Sequence, residues 1–130
     1  MNFPPAVVVH GLRDARAALA PGLPVTLLSA RGAAAYAGCG WWRALMQAAG
    51  AAIDILDCAG APGYAMAALR IGQRCVILDP GPAFAAVSAA ASLLGAVVLD
   101  ARPAALDLAD RGAERRLRAW LEGDNPERLG

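Results

Sequence analysis

The feature that most constrains the fold is a regular alternation of short apolar runs with helical patterns. Three of the runs end in Leu-Asp, at 56–57, 78–79 and 99–100, and each pair is followed by a proline. The pairs are 22 and then 21 residues apart, which is the length of one strand followed by one helix. A strand–helix repeat of this kind predicts a parallel sheet, because each strand must return through a right-handed crossover.

The apolar runs have the pattern of buried parallel strands, because successive positions are apolar instead of alternating with polar ones. Five strands are predicted: Ala6–His10, Val25–Ser29, Ile53–Asp57, Cys75–Asp79 and Ala96–Asp100. Between and after them the apolar residues recur at the helical period. Helices are predicted over 12–19, 42–49, Pro62–Ile71, Pro82–Leu94 and Ala104–Leu121, and proline opens the third and fourth of these.

We therefore expect a single three-layer α/β domain over residues 1–123, with a five-stranded parallel sheet and helices on both faces. The sequence leaves the strand order open between a flavodoxin-like order, 2-1-3-4-5, and a Rossmann-like order. Residues 124–130 are predicted to form a C-terminal tail.

Composition excludes several classes of function. The net charge is +1, so nothing in the charge favours nucleic acid or an anionic membrane as a partner. All twelve basic residues are arginine, which excludes a Walker phosphate loop and a Schiff-base lysine. The motif at 38–43, GCGWWR, lacks the third glycine of a dinucleotide fingerprint, and no cofactor is predicted. Three cysteines without a C-x-x-C pair favour a reducing cytoplasm over a disulfide framework or a zinc site.

Two segments are apolar enough to be compared with membrane-targeting sequences. The first twelve residues have no basic region and too short an apolar run for a signal peptide. Residues 80–99 carry no charge and have the length of a spanning helix. They nevertheless begin with Pro-Gly-Pro and are interrupted by Gly95, so we predict a helix, a turn and a strand, and no membrane span.

The aspartates at the strand ends have two interpretations. Asp57, Asp79 and Asp100 each stand where a buried strand reaches the carboxyl edge of the sheet. The favoured interpretation is structural, with the carboxylates accepting hydrogen bonds from turns and from the free N–H groups of helices. The alternative is a divalent metal site at that edge, and we predict none because no further oxygen ligands are obvious.

A ligand site is expected at the carboxyl edge, where the strand order reverses. His10 and Gly11 line that crevice under either strand order. In the flavodoxin-like order His10 and Cys58 end neighbouring strands, so a catalytic set of His10, Cys58 and Asp57 is a candidate. Inert packing of the cysteine is the competing interpretation.

The connection over residues 30–42 is long for an α/β loop, and long structured loops often carry function. Its Arg31 could meet an anion, and its aromatic residues could stack on a planar ligand, although Trp42 is also a candidate for the core. The helix starts near Pro62-Gly63 and Gly81-Pro82 could seat a phosphate or a carboxylate. The predicted ligand-binding residues are Gly11, Ser29, Arg31, Tyr36, Trp41, Asp79 and Gly81.

Three functions remain open. The first is a small cytoplasmic module that binds a small anionic or planar ligand without catalysis. The second is an enzyme acting on a small anionic or carbonyl substrate with His10 as acid and base. The third is a protein-interaction module using the apolar helices 62–71 and 82–94. Because those two helices carry almost no charge, we expect a homodimer formed through them.

Overall fold

The computed structural model describes residues 2–123, so the predicted tail lies outside the described residues. It shows an α/β fold with an all-parallel sheet of six strands in the order β5-β4-β3-β2-β1-β6. The strands are β1 (Ala6–Val8), β2 (Thr26–Leu28), β3 (Asp54–Asp57), β4 (Cys75–Ile77), β5 (Val97–Leu99) and β6 (Ala105–Asp107). The predicted fold class is therefore confirmed, with one additional strand.

The helices alternate with the strands as the sequence periodicity predicts. They are α1 (Leu12–Leu19), α2 (Ala33–Tyr36), α3 (Cys39–Ala49), α4 (Pro62–Arg70), α5 (Phe84–Leu93) and α6 (Ala113–Leu121). Pro62 opens α4, where its missing N–H has no helical partner to lose. Gly50 ends α3 in the left-handed conformation with φ 78°, which glycine adopts without strain. Within residues 2–123 no helix is both long and apolar enough to cross a bilayer.

Two details of the predicted topology are wrong. The segment predicted as the start of the last helix forms β6, because Ala105–Asp107 pairs with the free side of β1. The strand order is neither flavodoxin-like nor Rossmann-like, since β1 to β5 are neighbours in sequence order and β6 lies beyond β1. The order therefore reverses between β1 and β6.

The helices lie on one face of the sheet instead of both. Buried residues of all six helices share one apolar cluster with alternate strand residues such as Val7, Leu27 and Leu56. The other strand residues, including Val8 and Ile55, form a second cluster that contains no helical residue among those described. This follows from the strand order, because right-handed crossovers that all step in one direction place every connecting helix on the same face.

The second face is covered by extended chain. Residues 100–104, here called the strap, join β5 at one end of the sheet to β6 at the other. Phe3 packs against the second apolar cluster, and Thr26 donates from its hydroxyl to the carbonyl of Pro4 at 2.9 Å. The third layer of the domain therefore consists of the strap and the N-terminal segment.

The short strap requires a curved sheet. A flat sheet would separate Leu99 from Ala105 by about 25 Å, from five strand spacings and the return along one strand. Six extended residue steps reach at most about 22 Å. The sheet must therefore curl towards the strap, as twisted parallel sheets do. The curvature accounts for the burial of Leu28 and Ile55, both 0% exposed, on a face without helices.

Candidate functional site at the carboxyl edge

Three pairs of oppositely charged or polar side chains line the carboxyl edge of the sheet. They are His10 with Asp107, Arg102 with Asp57, and Arg31 with Asp79. Each contains an aspartate that ends a strand or follows it. Because all six strands are parallel, these residues reach the same edge.

Asp57, whose side chain is fully buried, is the centre of a hydrogen-bond network. Its Oδ1 accepts the backbone N–H groups of Gly32 and Ala59 at 3.1 and 2.7 Å. Its Oδ2 accepts Nη1 of Arg102 at 2.7 Å, and the same Nη1 donates to the carbonyl of Ser29 at 3.1 Å. The network thus fastens the strap and the loop after β2 to the end of β3.

Ser29 belongs to the same network. Its Oγ accepts the backbone N–H of Asp57 at 2.9 Å and donates to the carbonyl of Ala30 at 3.0 Å. With a side chain 0% exposed and both oxygens occupied, Asp57 accepts structural hydrogen bonds, as the favoured interpretation of the strand-end aspartates expects. In the part of the chain that the structure describes, no group of three metal-ligating side chains occurs.

His10 and Asp107 form a different kind of pair, because both side chains reach solvent. Nε2 of His10 lies 2.7 Å from Oδ1 of Asp107, and each side chain is 37% exposed. The backbone N–H of His10 donates to Asp14, and the N–H of Ala109 donates to Asp107. The pair lies between the ends of β1 and β6, which is the position where the strand order reverses and where open α/β sheets bind ligands.

Gly11 leaves open space beside this pair. A Cβ atom built on Gly11 would meet no other atom within 4 Å. Its φ of −179° is extended backbone that any residue can adopt, so the open space does not depend on a strained conformation. The switch point therefore combines two exposed polar side chains with a glycine over which no other residue packs.

Arg31 and Asp79 form the third pair, after β2 and β4. Nη2 of Arg31 donates to Oδ2 of Asp79 at 2.7 Å. This hydrogen bond, with the charge of Asp79, raises the pKa of the Arg31 guanidinium above its ordinary value. Asp79 and Gly81 also line a cavity of about 200 Å³ between the loops that precede α4 and α5. Arg31 is therefore already paired with a carboxylate in the absence of a bound anion.

Cys58 does not meet His10. Strand β2 lies between β1 and β3, so the two residues do not end neighbouring strands. The Cys58 side chain packs in the apolar cluster on the helix face. Burial, followed by the charges of Asp57 and Cys39, raises its pKa from 9.0 to about 12. The thiolate that a nucleophile requires is therefore disfavoured.

The connection over 30–42 is mostly helical, since it contains α2 and the start of α3. Arg31 and Gly32 bind the carboxyl edge, whereas Tyr36 and Trp41 are exposed. Trp42 is fully buried and donates from Nε1 to Asp54 at 2.7 Å, so it belongs to the core. The structure places the start of this connection at the site and leaves its aromatic residues at the surface.

Asp107 is the site residue that sequence reasoning missed. A signal was present, because Leu106-Asp107 is a fourth Leu-Asp pair, but the segment was assigned to a helix. The contact of Arg102 with Asp57 spans 45 residues of sequence. Both contacts depend on the position of β6 and the strap.

Carboxylates outnumber cations at this edge. Six aspartates stand at strand ends or in the turns and first helical residues that follow: Asp14, Asp57, Asp79, Asp100, Asp107 and Asp110. Four arginines occupy positions of the same kind, Arg13, Arg31, Arg102 and Arg111, and Arg31 and Arg102 are each paired with one of the aspartates. The local field therefore favours groups that donate hydrogen bonds.

No family model matches this chain, and no curated protein matches it. The geometry of the edge is accordingly the basis for a functional proposal.

Proposed function

We propose that this protein is a small cytoplasmic module that binds a small polar ligand at the switch point between β1 and β6. The observation that supports this most directly is the exposed His10–Asp107 pair beside the open space at Gly11. The excess of carboxylates favours a ligand with amine, hydroxyl or amide donors over the anionic ligand that the sequence predicts. Three free cysteines, two of them buried, support a reducing compartment.

The test is a ligand screen read by NMR on the ¹⁵N-labelled protein, with panels of small amines, polyols, amides and carboxylates. We expect at least one donor-rich compound to shift the amide signals of residues 10–14 and 107–109. Gly11→Phe should abolish these shifts because the ring fills the open space without backbone strain. Asp107→Asn should weaken binding by about tenfold, the usual effect of losing a hydrogen bond to a charged group.

Asp100→Asn is the matched control, because Asp100 is an exposed strand-end aspartate on the same edge. It should leave the affinity unchanged. A hit whose affinity is the same in the wild type, Gly11→Phe and Asp107→Asn would contradict the proposed site. The absence of any hit across the panels would contradict the proposed function.

The same pair supports general acid–base chemistry as a second candidate function. Asp107 holds Nε2 of His10, and the other ring nitrogen has no hydrogen bond within residues 2–123. A carboxylate in this position orients an imidazole. Turnover of a substrate that is lost in both His10→Ala and Asp107→Asn, but retained in Cys58→Ala, would establish the enzyme. Turnover that survives His10→Ala would exclude this assignment.

We also propose that the protein forms a homodimer through α4 and α5. The outer side of α5 exposes Ala85, Ala86 and Ala89, and Leu93 at its end is 90% exposed. Leu94 and Ile71, which follow α5 and α4, are about half exposed. A soluble monomer rarely leaves a contiguous apolar patch of this kind in water, and a two-fold dimer is the commonest way to cover it.

A further inference from the structure

A second cavity lies at the amino edge of the sheet, opposite the edge described above. Its volume is about 410 Å³, within the range of small-molecule sites. It is lined by Phe3 and by residues at and before the starts of β3, β4 and β5. Nothing in the proposed function uses this cavity.

Most of the cavity wall is apolar. Phe3 and Val97 pack against the second apolar cluster and also line the cavity, together with Ile53 and Cys75. Phe3 borders a further cavity of about 240 Å³ beneath the N-terminal segment. The amino-edge cavity therefore adjoins the concave face of the sheet and offers an apolar surface to a ligand.

Asp54 is the one carboxylate among the residues that line the cavity, and hydrogen-bond donors of the protein already surround it. Oδ2 of Asp54 accepts hydrogen bonds from Trp42 Nε1 at 2.7 Å, Arg43 Nη2 at 2.5 Å and Gln73 Nε2 at 2.8 Å. Nε of Arg43 is buried and has no hydrogen-bond partner among the described residues. The wall near Asp54 thus holds more donors than one carboxylate needs.

Arg74 supplies a guanidinium at the border of the cavity. The side chain is exposed, and no carboxylate pairs with it in the stretch from Asn2 to Gly123. Its one hydrogen bond there is long, 3.4 Å from Nη1 to the carbonyl of Gly95. A Cβ on Gly95 would lie only 3.3 Å from that Nη1, so glycine lets the guanidinium rest over the turn.

We propose that this cavity binds a small apolar molecule that carries a carboxylate. The carboxylate lies against Arg74, whose planar guanidinium suits bidentate binding of that group. The apolar part lies along Phe3, Ile53 and Val97. The carboxyl edge is proposed to bind a ligand that donates hydrogen bonds, whereas this cavity binds an anion. The two sites can therefore be distinguished by the ligands they bind.

The experiment titrates octanoate into the full chain labelled with ¹⁵N, with octanol and inorganic phosphate as separate probes. We expect octanoate to shift the amide signals of residues 53–54, 74–75 and 95–97, and to bind at least tenfold more tightly than either other probe. Arg74→Gln should weaken octanoate binding about tenfold or more, the usual effect of losing a charge-assisted hydrogen bond. Val97→Trp should abolish binding because the indole fills the cavity.

Arg111→Gln is the matched control, since Arg111 is an exposed arginine in the turn before α6, and it should leave the octanoate affinity unchanged. Octanol binding as tight as octanoate binding would overturn the role of Arg74. Phosphate binding as tight would overturn the role of the apolar wall. Octanoate shifts confined to other residues, or no shifts at millimolar concentration, would overturn the site itself. This measurement uses the wild-type protein, so it does not depend on whether a variant folds.

Discussion

The first prediction concerns how the strap contributes to stability. A single guanidinium, that of Arg102, joins the strap to the buried end of β3. The variant is Arg102→Met, which keeps most of the apolar stem and removes the charge. Asp57 would lose its 2.7 Å contact with Nη1, and the carbonyl of Ser29 would lose its 3.1 Å contact. A fully buried carboxylate would then be left without its counter-ion.

The magnitude follows from the two sides of the pair. Removing one partner of a buried ion pair usually costs about 3–5 kcal/mol. Asp57 keeps two backbone N–H donors, and the Arg102 side chain is 26% exposed, so water can reach the vacated position. We therefore expect a loss near the lower limit, about 3 kcal/mol, equivalent to a decrease in Tm of roughly 10 °C for a domain of this size.

The assay is urea unfolding followed by circular dichroism, with hydrogen exchange to locate the change. Amide protection should fall first in the strap and in the loop at Gly32, since both are fastened through Asp57. Arg31→Met is the matched control: it removes an arginine from an exposed pair with Asp79 on the same edge, and should leave the unfolding free energy nearly unchanged. An Arg102→Met variant within about 0.5 kcal/mol of wild type would refute the reasoning, because that is the ordinary effect of a surface substitution.

Two further predictions concern the thiols and the dimer. Burial raises the pKa of Cys58 and of Cys75 from 9.0 to about 12, so the unfolded chain ionises first. The contribution of the thiols to stability should then be constant well below pH 9 and decrease as the pH rises from 9 towards 12, by up to about 1.4 kcal/mol per pH unit for each thiol. The alkaline decrease measured by urea unfolding should be smaller in Cys58→Ala/Cys75→Ala, and an equal decrease in that variant and the wild type would contradict the prediction. For the dimer, light scattering on the wild type should give twice the 13.3 kDa chain mass. Leu93→Arg should convert the dimer to a monomer, because Leu93 is 90% exposed at the end of α5, whereas the control Arg13→Ala on α1 should remain dimeric. A wild-type monomer at micromolar concentration would contradict the proposal.

Local patterns were sufficient to predict most of the elements. The five predicted strands and the helices α1, α3, α4 and α5 all occur, because buried parallel strands and amphipathic helices leave apolar periods in the sequence. Proline at 62 opens α4, and Gly95 follows the end of α5, as expected. The parallel α/β class followed from the alternation alone.

Strand order was beyond those local patterns, because it depends on which edge each crossover takes. The three-residue strand β6 forms only by pairing with β1, about a hundred residues earlier in the chain. That pairing decides the site: it brings Asp107 to His10, and the position of β2 separates His10 from Cys58. The catalytic set of His10, Cys58 and Asp57 failed to assemble for this topological reason.

The four Leu-Asp pairs show how one local pattern acquires different chemistry from the sheet around it. Leu56, Leu78 and Leu106 face the helices, and the aspartates that follow them are paired with Arg102, Arg31 and His10 respectively. Leu99 packs on the concave face instead, and Asp100 after it is exposed. Burial then separates the paired aspartates: Asp57 lies beneath the strap and fastens it, whereas Asp107 ends an outermost strand and shares its histidine with solvent. An aspartate that is enclosed by its own chain stabilises the fold, and one left at the switch point is available to a ligand, which is why the functional proposal rests on Asp107 and not on Asp57.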